Sequence, residues 1–206
     1  MKVLFIHGLA SSGAYKMASS LRILLKGSEV IAPDVPIDPR EALTLLEGIC
    51  RDERPDLIVG LSLGGFWAQK LRGYRKILVN PDFHISRLLR TMTGVREYLS
   101  PRRDGALTFT VTEVLCDEYA RLEATEFDGL SPEEIALTTG MFADRDEMVN
   151  CKDEFERFYP DRARSYPGTH LPNYPEIKKY ILPIIDAAYK NHKGNQPPPY
   201  LNDLVT

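Results

Sequence analysis

Short apolar runs alternate along the chain with segments in which apolar residues recur every three or four positions. The apolar runs predict strands at residues 1–6, 29–32, 57–59, 76–79 and 135–139, with a more polar edge strand at 163–166. The helical spacing predicts helices at 14–25, 39–49, 66–71 and from about 175 onward, where Pro183 should kink or split the last one. Strands separated by helices predict a mostly parallel sheet of about six strands with helices on both faces.

Residues 83–134 interrupt this alternation. Apolar residues at 85–92 and 115–122 indicate two helices, and alternation at 107–111 indicates a short strand between them. Because the insertion follows the end of a strand, it is predicted to be a small helical cap, and the alternative is a long crossover. The prediction is therefore one domain over residues 1–190, followed by a proline-rich tail at 191–206.

The most informative segment is the Gly-x-Ser-x-Gly turn at residues 60–64, which joins the apolar run at 57–59 to a helical pattern. A strand, a sharp turn and a helix are the context of a nucleophile elbow, where a serine is held in strained backbone. Ser62 is then expected at a helix N-terminus, where free N–H groups face any anion that forms. The alternative is a glycine turn that contains an incidental serine.

A second signal lies at the end of the first strand, which leads directly into His7-Gly8-Leu9. In α/β-hydrolases an H-G-x loop lies beside the elbow and gives one backbone N–H to the oxyanion hole, and the residue after the serine gives the other. The candidates are the amides of Leu9 and Leu63. His7 is predicted to orient the loop rather than to take part in the chemistry.

The rest of a triad should follow in the order acid, then histidine. His170 lies in a turn-rich loop after the last predicted strand, whereas His192 lies in a polar end and His84 belongs to the cap. The acid should follow the fifth strand, where Asp146 is preferred because Asp-x-x-Val is a usual ending for this loop. Asp144 remains the alternative acid.

Composition excludes several other classes of protein. The chain has 206 residues, 43% of them hydrophobic and 27% charged, with a net charge of −3, which is typical of a globular domain without a nucleic-acid footprint. No apolar run reaches membrane-spanning length, and the first one is too short for a signal peptide. The separated cysteines, Cys50, Cys116 and Cys151, fit neither a zinc pattern nor a disulfide framework and favour a cytoplasmic location.

With these motifs the chain resembles the small YqiA/YcfP-like esterases of the α/β-hydrolase superfamily. The resemblance rests on the H-G-x-x-S-S loop at 7–12, the second glycine after the elbow (Gly65), the Val-Asn-Pro end of strand four at 79–81, and Asp146-Glu147 with Gly-x-His at 168–170. It covers residues 1 to about 189. It implies a compact α/β-hydrolase fold with a short cap and esterase activity on short acyl chains.

The predicted reaction is hydrolysis of a short-chain ester or thioester through an acyl-enzyme, without a metal or organic cofactor. The partner is a small acyl ester, and neither nucleic acid nor a membrane is expected. The pocket walls are predicted to come from Phe66, Trp67, Leu88, Leu89, Met92, Phe109 and Tyr119. The alternatives are acyl transfer by the same serine and a non-catalytic member of the fold that binds a ligand or partner.

Overall fold

A computed structural model describes residues 1–192, with side chains up to residue 190. The strands are β1 (Lys2–Ile6), β2 (Glu29–Ile31), β3 (Leu57–Leu61), β4 (Lys76–Val79), β5 (Gly94–Glu97), β6 (Thr108–Val111), β7 (Thr138–Ala143) and β8 (Ala163–Tyr166). Six of them form one parallel sheet in the order β2-β1-β3-β4-β7-β8, and β5 and β6 form a separate antiparallel hairpin. The predicted sheet of about six mostly parallel strands is confirmed.

Helices cover both faces of the sheet. They are α1 (Lys16–Leu24), α2 (Pro39–Glu53), α3 (Leu63–Lys70), α4 (Ile85–Arg90), α5 (Glu113–Glu123), α6 (Pro132–Leu137), α7 (Lys152–Phe158), α8 (Tyr174–Glu176) and α9 (Leu182–His192). Met17 and Ile185 are fully buried on one face, and Leu46, Phe66 and Phe155 are fully buried on the other. Full burial of one such side chain contributes about 1.5–3 kcal/mol. Both cores therefore stabilise the packing of the helices against the sheet.

The last helical segment is interrupted, as Pro183 predicts. Asn173 caps α8 through its side chain, which accepts a hydrogen bond from the Glu176 amide at 3.0 Å. A π-helical turn, Ile177–Ile181, then separates α8 from α9. Pro183 has no N–H to offer to the preceding turn, and the wider π turn lies immediately before it.

The fifth strand of the sheet lies later in the chain than the sequence predicts. Residues 135–137, expected to begin this strand, instead end α6, and β7 continues to Ala143. The reason is a helix start signal, because the Ser131 hydroxyl accepts a hydrogen bond from the Glu134 amide at 3.3 Å and Pro132 occupies the first turn. The prediction of a strand over 135–139 was therefore wrong at its N-terminal end.

The segment between β4 and β7 contains α4, the β5–β6 hairpin, α5 and α6. The predicted boundaries of a cap at about 83–134 stay a prediction. The predicted tail at 191–206 lies outside the described residues, except that the backbone of α9 continues to His192. Among residues 1–192 no helix combines the length and the apolar character that crossing a bilayer requires.

Candidate active site

Ser62 lies at the sharp junction between β3 and α3. Its backbone has a φ of 56° and a ψ of −120°, a left-handed conformation that a non-glycine residue rarely adopts. Glycine is required on both sides of Ser62 because backbone atoms of other residues approach Gly60 and Gly64 closely. A Cβ on Gly60 would collide with the carbonyl of Gly64, and a Cβ on Gly64 would collide with the carbonyl of Ile6 in the neighbouring strand. The turn therefore projects the serine from the end of the sheet under backbone strain.

A continuous chain of hydrogen bonds joins Ser62, His170 and Asp146. The Ser62 Oγ lies 2.9 Å from the His170 Nε2, and the His170 Nδ1 lies 2.7 Å from the Asp146 Oδ2. The other carboxylate oxygen of Asp146 accepts hydrogen bonds from the amides of Met148 and Val149, each at 2.9 Å. Burial opposes ionisation of Asp146, yet the hydrogen bonds from His170 and these amides hold the pKa of this carboxyl below its usual value.

Asp144, the alternative acid, does not contact the imidazole of His170 in any hydrogen bond of the described residues. Its Oδ1 accepts a hydrogen bond from the Gly168 amide at 3.1 Å, and its side chain is 53% exposed. The Asp146 side chain, in contrast, is only 5% exposed. Both aspartates border a cavity of about 260 Å³ that is also lined by Asn80 and Ser165. The geometry thus brings Asp146, and not Asp144, to the histidine.

The loop after β1 lies against the serine. A Cβ placed on Gly8 would lie 3.8 Å from the Ser62 Oγ, so the backbone of this loop directly adjoins the Ser62 hydroxyl. Leu9 and Leu63, whose amides are the predicted oxyanion donors, border the same small cavity. Leu63 is also the first residue of α3, so its N–H has no acceptor within the helix. The assignment of both amides to an oxyanion hole stays a prediction.

His7 holds this loop in place. Its Nε2 accepts a hydrogen bond from the Val35 amide at 3.0 Å, which leaves the proton on Nδ1, and Nδ1 donates to the Gly8 carbonyl at 2.8 Å. Burial lowers the pKa of His7 to about 4, so the ring is neutral at physiological pH. Both ring nitrogens are occupied by backbone groups, and neither is free for proton transfer to a substrate.

The cavity beside the elbow is small. It encloses about 10 Å³, which is room for about one water molecule. Of the predicted pocket walls, Trp67 borders it, whereas Phe66, Leu89, Phe109 and Tyr119 are buried in the core. Met92 is partly buried against that core, and Leu88 is 40% exposed. Other residues that line the cavity, including Val35, Ile37 and Tyr98, were not predicted from the sequence.

Residues 98–104, here called the strap, contribute Tyr98 to the lining of this cavity and are hydrogen-bonded to the loops that follow β1 and β2. The Leu99 amide donates to the Ala10 carbonyl at 2.6 Å. Asp34 bridges two segments, because its Oδ2 accepts from the Arg103 amide and its Oδ1 accepts from the Gly13 amide, each at 2.6 Å. The strap thus connects the insertion to the loop that carries Leu9.

Tyr98 and Arg102 form the inner side of the strap. The Arg102 guanidinium lies 4.4 Å from the centre of the Tyr98 ring and donates to the Val35 carbonyl at 3.2 Å. The Arg102 side chain is only 3% exposed and also pairs with Asp104 at 2.9 Å. These contacts hold the Tyr98 ring as a wall of the cavity.

Asn80 is a site residue whose role the sequence reasoning did not identify. It follows β4 with a φ of 44°, and its Nδ2 donates to the Tyr166 hydroxyl at 2.9 Å and to the His170 carbonyl at 2.8 Å. Its Oδ1 accepts a hydrogen bond from the Ala143 amide at 2.8 Å. The available signal was the Asn-Pro pair that ends strand four, since asparagine tolerates the left-handed conformation and can bond neighbouring backbone.

Comparisons with known proteins agree with this architecture. The profile of the uncharacterised protein family UPF0227 matches residues 2–185. No curated protein sequence matches the chain significantly.

Among solved structures, alpha/beta hydrolase domain-containing protein 10 from mouse is similar with a TM-score of 0.62 and 15% identity over 92% of this chain and 90% of that one. Est1E from Butyrivibrio proteoclasticus is similar with a TM-score of 0.60 and 14% identity over 94% and 88%. The esterase domain of a Rhodothermus marinus protein has a TM-score of 0.58 and 17% identity over 90% and 85%. These likenesses show an α/β-hydrolase fold, and the fold class predicted from the sequence is confirmed.

Proposed function

The chain belongs to the uncharacterised protein family UPF0227, and from its α/β-hydrolase fold and candidate active site we propose that it is a serine hydrolase of short-chain carboxylic esters or thioesters. One observation carries the proposal, namely the hydrogen-bonded series from the Ser62 Oγ through His170 to Asp146. A binding module has no need of all three groups in this arrangement. Catalysis by acyl transfer requires each of them.

In the proposed mechanism, the His170 Nε2 removes the proton of Ser62 as its Oγ attacks the carbonyl carbon of the ester. The amides of Leu9 and Leu63 donate to the oxyanion that forms. His170 then gives the proton to the departing alcohol or thiol, and the acyl group remains on Ser62. Water, deprotonated by His170, attacks this acyl-enzyme and releases the carboxylic acid and the free serine.

Asp146 has two proposed roles in this cycle. Its bond to Nδ1 fixes the tautomer in which Nε2 is unprotonated and faces the serine, and its charge stabilises the imidazolium that forms. The lowered pKa of Asp146 supports both roles, because the carboxylate stays ionised at neutral pH. No metal or organic cofactor is needed in this mechanism. The three cysteines are buried and form no disulfide, which supports the reducing cytoplasm as the location of the protein.

The size of the cavity supports short acyl chains. Trp67, Ile37 and Tyr98 close a space of about 10 Å³ beside Leu9 and Leu63, so a long chain finds no channel there. The strap, which supplies Tyr98 to this lining, is held by hydrogen bonds to Asp34 and Ala10. We infer that acetyl to roughly hexanoyl esters are the best substrates, since each further methylene meets a wall instead of gaining burial energy of about 0.8 kcal/mol.

The decisive test compares Ser62→Ala with the wild type. The substitution should abolish covalent labelling by a fluorophosphonate and lower kcat for p-nitrophenyl acetate by at least about four orders of magnitude while the circular dichroism spectrum is unchanged. Ser19→Ala, an exposed serine on α1, is the matched control and should keep full labelling and turnover. A Ser62→Ala enzyme with a tenth of wild-type turnover would overturn the proposal. Acylated product formed from an added alcohol or thiol, in preference to free acid, would assign acyl transfer instead.

A further inference from the structure

A second cluster of reactive side chains lies apart from Ser62, where the chain leaving β4 meets the start of α7. His84, Cys151 and Glu154 each contribute one ligand atom, and these atoms all lie within 4.8 Å of one another. The His84 Nε2 is 2.7 Å from the Glu154 Oε2. Within the described residues this is the one group of at least three histidine, cysteine or acidic ligand atoms gathered so closely.

The spacing of the three atoms is close to that of a tetrahedral metal site. Zinc binds sulfur at about 2.3 Å and imidazole nitrogen or carboxylate oxygen at about 2.0–2.2 Å, which separates its ligand atoms by about 3.3–3.7 Å. The bond between His84 and Glu154 must therefore open by roughly 0.7 Å, and the sulfur must approach by up to about 1 Å. The His84 side chain is 35% exposed and that of Glu154 is 23% exposed, so both can make this adjustment.

The surroundings support a ligand role for Cys151. Cys151 is buried, with 5% of the residue exposed, and lies at the start of α7. The thiol forms the closed base of the cluster, and the partly exposed His84 and Glu154 provide a path of entry from solvent.

We propose that His84, Cys151 and Glu154 bind one Zn²⁺ ion, with the fourth position open to solvent. A thiolate, an imidazole and a carboxylate form a donor set that suits zinc and is unsuited to Mg²⁺ or Ca²⁺, which prefer oxygen alone. The ion would join the chain after β4 to the start of α7 and thereby hold the loop that presents Asp146. The observations that support this site do not rest on the esterase activity proposed above. Its ligands come from distant segments, which explains why the cysteine spacing gave no zinc pattern.

The test uses the full chain, freed of metal by a chelator and then titrated with Zn²⁺ and with Co²⁺. One equivalent of Zn²⁺ should bind and raise the Tm, and Co²⁺ should produce the near-ultraviolet charge-transfer absorption of a cobalt–thiolate bond. Cys151→Ser should remove this absorption, and His84→Ala and Glu154→Gln should each weaken Zn²⁺ binding by roughly a hundredfold. Cys116→Ser and Glu156→Gln are the matched controls and should leave both signals unchanged.

The outcomes separate a built site from adventitious binding. Zn²⁺ affinity that is the same in His84→Ala, Glu154→Gln and the wild type would overturn the proposal, as would the lack of a thiolate band with Co²⁺. If Cys151→Ser does not fold, the Zn²⁺ affinities of His84→Ala and Glu154→Gln decide whether the site exists. Since every readout is a metal-binding signal, the result does not depend on whether Ser62 hydrolyses esters.

Discussion

The side-chain amide of Asn80 donates a hydrogen bond to the backbone carbonyl of His170 at 2.8 Å. Asn80 directly follows β4 at the end of the sheet, whereas His170 belongs to a loop after β8. The same amide group also reaches the Thr169 carbonyl at 3.3 Å. The position of the imidazole in front of Ser62 is thus set from two directions, by Asp146 at its side chain and by Asn80 at its backbone.

Asn80→Gly should lower kcat by about tenfold to a hundredfold with little change in KM. Glycine keeps the left-handed backbone but removes the donor to His170, and a displacement of about 1 Å at a catalytic group costs up to about a hundredfold in rate. The measurement is steady-state kinetics on p-nitrophenyl acetate, together with Tm. Asn150→Gly, at an exposed position, is the control. Unchanged kcat in a folded Asn80→Gly protein would show that the loop holds His170 without this bond.

The acid can be assigned by comparing two conservative variants. Asp146→Asn should lower kcat by about four orders of magnitude, because an amide can hold the wrong tautomer of His170 and carries no charge. Asp144→Asn should stay close to the wild type, since its only described side-chain hydrogen bond is from the Gly168 amide, which an amide oxygen can still accept. His170→Ala should be nearly as severe as Ser62→Ala. The reverse ranking of the two asparagine variants would move the acid to Asp144 and leave Ser62 and His170 in place.

Much of the fold could be predicted from the sequence because its strands and helices have distinct periodicities. The helix predicted at 39–49 is found at Pro39–Glu53, and the Asp38 side chain caps its start by accepting a hydrogen bond from the Arg40 amide at 2.9 Å. The start of β7 could not be predicted in the same way. Residues 135–137 are apolar and fit either element, and only the Ser131 cap upstream assigns them to a helix.

In the candidate site, too, residues in local sequence motifs could be predicted, whereas residues brought together only by folding could not. Ser62 was identifiable because its turn requires glycine at fixed positions, and His170 because few histidines follow the sheet. The pocket walls could not be identified from the sequence, since Val35, Ile37 and Tyr98 reach the cavity from separate parts of the chain. Periodicity marks Phe66 and Tyr119 as apolar, but it cannot distinguish a residue that packs in the core from one that borders a cavity.

Ionisation of Glu126 should make the protein less stable as the pH rises. The carboxyl is 1% exposed, and burial raises its pKa to about 7 although Lys70 lies 2.7 Å away. Between pH 4.5 and 7 the folded state therefore binds more protons than the unfolded state, so the free energy of unfolding should fall as pH rises through this window. Above pH 7 this contribution should level off.

Urea unfolding of Glu126→Gln between pH 4.5 and 8 checks this sign. The variant cannot ionise at this position, so its stability relative to the wild type should increase from pH 4.5 to 7 and then stay constant. Glu156→Gln removes an exposed carboxyl and should show no such trend. A relative stability that decreases with pH would mean that the Lys70 ion pair outweighs burial and that Glu126 is ionised throughout.

Tyr98 should limit the length of the acyl chain. Its ring borders the cavity beside Ser62 and is held there by Arg102, so Tyr98→Ala should open the wall and shift the best p-nitrophenyl ester from the range of acetyl to hexanoyl toward longer chains. Each methylene that gains burial contributes about 0.8 kcal/mol, or roughly fourfold in kcat/KM. Leu99→Ala is the matched control, because Leu99 is the next residue of the strap and is 83% exposed. A wild-type kcat/KM that still rises at dodecanoyl would show that the strap swings away from the cavity, and the preference for short chains would have to be abandoned.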